Sequence, residues 1–184
     1  METKDLILIS IALVSALVAV SSYLLNRRVF IGFHDLNRRQ NALRLIERWD
    51  EATLDARKAV MSIWPESFHE TKDIPWNEIE QERERQIGSL KKGGQLDSGT
   101  RLITDHMNTI MNYLELIAVA AYNNVADEEI LSQSYDVPFD RWYRILSDFR
   151  EHVSKHRKYN PWKPVDKLHE KWYETPHKQK PQIG

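Results

Sequence analysis

Leu6 to Leu25 reads LILISIALVSALVAVSSYLL, twenty residues without a charge, whose only non-apolar members are Ser10, Ser15, Ser21 and Ser22. As a helix rising about 1.5 Å per residue it is roughly 30 Å long, the thickness of a bilayer's hydrocarbon core. A helix suits that medium because it satisfies its own backbone hydrogen bonds, and short serine hydroxyls can bond back to the preceding turn. Ala19-Val20-Ser21 offers a small-residue cleavage site. A signal peptide, however, carries a basic start and a shorter apolar run, whereas Glu2, Lys4 and Asp5 leave this start acidic. The expectation is one uncleaved transmembrane helix, residues 6–25.

The flanks give the orientation. One lysine precedes the span, while Arg27, Arg28, Arg38 and Arg39 follow it. Basic residues stay on the cytoplasmic side, so residues 1–5 are expected outside and the remainder inside a bacterial inner membrane. Within the span, Ala12/Ala16 and Ser15/Ala19 are small residues four apart, a spacing that lets two helices approach closely.

From Asn26 onward helical spacing dominates and no long apolar/polar alternation marks a strand. The expected fold is therefore all-α: a span, a helical bundle over residues 26–173, and a flexible tail over 174–184. A first helix is predicted from about His34 to Ile63, with Leu36, Leu43, Ile46, Trp49, Thr53, Val60 and Trp64 as its apolar stripe. It can continue directly from the span, with Gly32 as a hinge, and Pro65 ends it. After a loop, Pro75 opens a charged helix from Trp76 to about Leu90. Lys91 to Gly99 lacks the Gly, Lys and Ser/Thr order of a phosphate-binding loop and reads as a surface loop.

The core helix is expected from Thr100 to Tyr122, apolar almost all round between Tyr113 and Ala121. Asn123-Asn124 can take the left-handed turn that ends it. Asp127 then caps a short helix to about Leu131. A separate helix from Asp136 and Pro138 carries Phe139, Trp142, Ile145, Leu146, Phe149 and Val153, and a last one runs from Pro164 to Trp172.

The formal charge is -1, from 26 Lys+Arg against 27 Asp+Glu. The distribution is uneven: residues 26–48 carry +4, 49–149 carry -9 and 150–184 carry +5. The first basic block stands where anionic lipid would attract it. Overall neutrality argues against nucleic-acid binding, and the absence of cysteine excludes disulfides and thiolate ligands.

Few residues suggest chemistry. His152 and His156 are four apart on one helix face, a metal-sharing spacing, with Glu151 or His169 as a third ligand. The metalloprotease pattern also needs Glu after the first His, and Val153 is there. Glu115, set in an apolar run, must be paired or protonated if buried, and Arg57 is its candidate partner. It reads as part of a buried polar network or, more sharply, as a general acid or base; His106 reads as a core histidine or a second catalytic group. No complete catalytic, metal or cofactor set emerges.

Trp49 with Arg57, then Asn112-Tyr113-Leu114-Glu115-Leu116-Ile117-Ala118, then Val125-Ala126-Asp127-Glu128-Glu129-Ile130-Leu131, and finally Trp162, Leu168 and Trp172 form a set of short motifs. Together they resemble a family of small bacterial single-span membrane proteins catalogued as a domain of unknown function, over roughly residues 5–173. The resemblance implies an anchored helical body and assigns no activity. The functional expectation is a non-catalytic, membrane-anchored interaction module: an accessory subunit or scaffold that meets the bilayer and either a membrane-protein partner or further copies of itself. The alternatives are a tethered enzyme using Glu115 and His106, or a membrane stress or phage-defence effector.

Overall fold

A computed structural model describes residues 3–92 and 101–174, all of whose regular elements are helices. The helix that contains the apolar stretch does not stop at the arginines. A single helix, α1, runs from Thr3 to Ile63, about 90 Å at 1.5 Å per residue. Gly32 lies inside it without interrupting it, although glycine costs a helix interior about 1 kcal/mol relative to alanine. Among the described residues α1 is the one helix long and apolar enough to cross a membrane, and none of its apolar window is buried within the chain.

The body begins at Ala42, the first buried residue described along α1. Ala42, Trp49, Thr53, Ala56 and Val60 face the core. Their spacings of seven, four, three and four residues keep them on one side of a 3.6-residue turn. The Thr53 hydroxyl is satisfied by donating to the Trp49 carbonyl at 2.7 Å. Leu36 and Leu43, expected on this stripe, are instead half exposed, because each falls about 100° or more from its centre.

Pro65 ends α1 by opening a short helix, α2 (Pro65–Glu70), where the sequence predicts a loop. The charged helix α3 spans Trp76–Lys92, and so takes in Lys91 and Lys92. The expected Gly93–Gly99 part of the following loop, Thr100 and the tail beyond Glu174 lie outside the described residues. The central helix α4 is Ile103–Tyr122. Its first turn is capped by two side chains: Asp105 accepts from Leu102 N at 3.1 Å and Gln86 of α3 from Ile103 N at 2.8 Å. It runs antiparallel to α1: Tyr113 donates to the Leu45 carbonyl at 2.7 Å, and farther along Asn41 donates to the Val125 carbonyl at 3.0 Å. Leu116, Val119 and Tyr122 remain exposed, so α4 is covered on three sides rather than all round. Asn124 takes the expected left-handed turn, with φ 57°.

Asp127 caps the next helix, accepting from Glu129 N and Ile130 N at 3.1 and 3.3 Å. That helix does not stop at Leu131. It continues through Pro138 as α5 (Glu128–Ile145), so the two expected helices are one. Proline removes one ladder donor, but Leu131, Tyr135, Phe139 and Trp142 all lie on the buried face, and their shared packing carries the helix across the gap. The stripe assigned to one helix from Phe139 to Val153 is broken at Leu146, which separates α5 from α6 (Ser147–Arg157). Finally α7 (Lys163–His169) passes into a π-helical turn, Glu170–Glu174. It returns the chain toward the start of α5, where Trp172 donates to Glu128 at 3.1 Å. Thus α1, α4 and α5 form the centre, α3 and α6 close the far end, and α7 covers a further side of α4, leaving the side of Leu116, Val119 and Tyr122 open.

Candidate functional site

Asn108, Asn112 and Glu115 succeed one another at spacings of four and three, which places them on one side of α4. The chain leaving α6 turns over that side. Lys158 adopts φ 60° at the helix end, and Asn160 then folds the loop by accepting from Trp162 N at 2.9 Å. Asp166 of α7 holds this turn from below, accepting from both Asn160 and Arg150. The Trp162 indole is buried and donates to Asn112 at 3.1 Å. Between these walls lies an open cleft of about 480 Å³, lined by Asn108, Asn112, Glu115, Arg157, Tyr159 and Trp162, with Pro161.

Glu115 is therefore at a cleft and not in a buried network. It is half-buried and engages no hydrogen bond or ion pair with another described residue. The expected partner, Arg57, binds Asp50 of its own helix and lies over the Trp49 ring, 4.8 Å from its centre. Helix α4 presents Glu115 away from α1, which keeps the two apart. The cleft sets a carboxylate, a guanidinium and two amides around open space. That combination is suited to hydrogen bonding a polar group and holds no nucleophile with its base.

His106 stands nine residues before Glu115, two and a half turns, on the opposite side of α4. Burial lowers its pKa, helped by the Arg101 charge and opposed by Asp105 and Asp55. Its Nδ1 is buried without a partner among the described residues. A histidine whose folded pKa is depressed contributes stability that is present above the unfolded value near 6.5 and is lost as pH falls through it. The chain should therefore melt at lower temperature as pH drops from about 7 to 5. His106→Leu should flatten that slope; an unaltered slope would assign it to other groups.

His152 and His156 do lie side by side, with rings parallel within 7° and centroids 6.4 Å apart. One face of the His152 ring is covered by Trp76, stacked at 3.5 Å. Neither proposed third ligand joins them: Glu151 pairs with Lys155 at 2.7 Å, and His169 bonds Asp140 at 2.8 Å. Among the described residues no three His, Asp or Glu side chains gather as a metal site.

The Asp140–His169 pair is a cluster that sequence reasoning missed. His169 is buried, stacks on Tyr143 at 3.7 Å, and has Tyr173 at 4.7 Å. Burial pushes the Asp140 pKa up, but hydrogen bonds from His169 and Arg144 outweigh it and hold the carboxyl below its ordinary value. The Asp140–Arg144 spacing of four was readable as a helix pair; the 29-residue reach to His169 was not. Asp140 is partly exposed and Arg144 more than half so, and the buried His169 ties α7 to α5 through this pair.

No curated protein and no solved structure matches the chain. One family does, described as Domain of unknown function (DUF4760), over residues 6–172. That range takes in the long N-terminal helix, the cleft and α7, so the chain belongs to the DUF4760 family.

Proposed function

We propose that the chain is a membrane-anchored, non-catalytic interaction module, with its N-terminus outside, one span and a helical body in the bacterial cytoplasm. The observation that carries this is the unbroken course of α1. One helix supplies both the apolar anchor and the Trp49 side of the core, so movement of the span is passed directly to the body. The arginines after the span favour the cytoplasmic side for that body. The rival reading, catalysis by Glu115 with His106, requires convergence of groups that occupy opposite sides of α4.

Purification of the full chain from native membranes in mild detergent tests the module directly. A stoichiometric partner or a defined oligomer is expected. A clean monomer contradicts it, and loss of a measured activity in a folded Glu115→Gln variant would favour the enzyme.

A further inference from the structure

Val18, Leu25, Val29, Leu36 and Leu43 are all exposed on α1, at 60, 63, 62, 50 and 50%. At about 100° per residue they fall within about 40° of one another around the helix. They recur at intervals of seven and four, the spacing of a two-helix seam. The core-facing side, centred on Ala42 and Trp49, lies about 120° away. Among the described residues, nothing in the body covers this stripe.

Gly32 lies on its border. No atom of the described residues stands within 4 Å of where its Cβ would be, so no contact among them explains a glycine in the middle of α1. A second helix crossing there would, since a missing side chain lets backbones approach.

We infer that this stripe is where a second copy of the chain packs, in parallel, through the span and the arm beyond it. This rests on the reading of α1 as an anchored arm. Every copy enters the membrane in the same direction and to the same depth, so in a two-fold pair each seam residue meets its own counterpart. Confinement to one bilayer raises the effective concentration of that encounter. Arg27 and Arg28 sit about 180° and 80° from the seam, while Arg39, about 50° from it, lies 3.9 Å from Asp127, which offers its charge a partner. Val29, Leu36 and Leu43, beyond the apolar stretch, expose on the order of 300 Å² per copy, so pairing hides about 600 Å² there, and Val18 and Leu25 continue the contact within lipid. Beyond Leu43 the same side carries Glu47 and Asp50, which end the seam where the bodies diverge.

The chain's lack of cysteine gives a clean background for the test. Single variants Val29→Cys, Leu36→Cys and Leu43→Cys, and off-seam controls Ile31→Cys and Arg48→Cys, are oxidised in native membranes as full-length protein. The seam variants should form disulfide dimers at least about tenfold faster than the controls, because a disulfide needs Cβ atoms about 4 Å apart. Gly32→Leu, added to Leu36→Cys, should cut that yield severalfold. Equal or absent cross-linking across all positions, or linkage to a different protein, overturns the pairing. Fractionation of the same samples keeps the anchor separate: membrane retention without seam cross-links refutes the dimer alone.

Discussion

Trp49→Ala is expected to lower the stability of the helical body by about 3–5 kcal/mol, a large share of the roughly 5–15 kcal/mol a domain possesses. Trp49 is 5% exposed and joins all three central helices. Its ring meets Tyr113 of α4 at 5.5 Å and Tyr135 of α5 at 5.2 Å, the latter edge-on at 83°. Arg57 covers another part of the ring. Truncation removes these contacts together and opens a cavity at the junction, which rigid helices cannot close. The Tyr135 hydroxyl, buried without a partner among the described residues, adds to the sensitivity of this region. Urea unfolding of the detergent-solubilised chain, followed by helical circular dichroism, should show a much lower midpoint for Trp49→Ala. The exposed Leu43→Ala should change by less than about 0.5 kcal/mol. Equal effects at the two positions would contradict the assigned core.

Ala16→Arg with Leu17→Arg is the second large effect. Both positions lie near the middle of the apolar stretch and both are exposed on α1. Each arginine at a span centre opposes insertion by about 2.5–3.5 kcal/mol, so the pair opposes it by roughly 5–7 kcal/mol. The protein should move from the membrane pellet to the aqueous fraction. Its body should keep its unfolding midpoint, because the first buried residue lies 25 positions farther along, at Ala42. A variant that remains in the membrane would mean that something other than this helix holds the chain there.

Local signals in the sequence were sufficient for the helical class, the Asp127 cap, the Asn124 turn and the limits set by Pro65 and Tyr122. They misled where tertiary packing overrides local rules. Pro138 reads as a helix start, yet α5 passes through it because Leu131 and Tyr135 before it share a buried face with Phe139 and Trp142 after it. Leu146 reads as mid-helix, yet the chain breaks there so that α6 can pack on α3. Leu36 and Leu43 match helical periodicity equally well as core or as outer seam. Periodicity gives a stripe's existence but not which side the body occupies, and only the position of α4 and α5 decides it. Glu115 was recognisable as unusual on an apolar helix. Its neighbours at the cleft come from Arg157, Tyr159 and Trp162, more than 40 residues later, a distance across which no spacing rule operates. The Asp140–His169 pair was hidden for the same reason.

The most direct test of the account is where the unmodified full-length chain resides and which side its body faces. Membranes washed with alkaline carbonate should retain it until detergent is added. Protease outside intact spheroplasts should leave residues beyond Ala42 uncut until the cells are lysed. Release of the chain into the carbonate supernatant, or cleavage of the body from outside, would contradict the proposal that α1 anchors a cytoplasmic helical module.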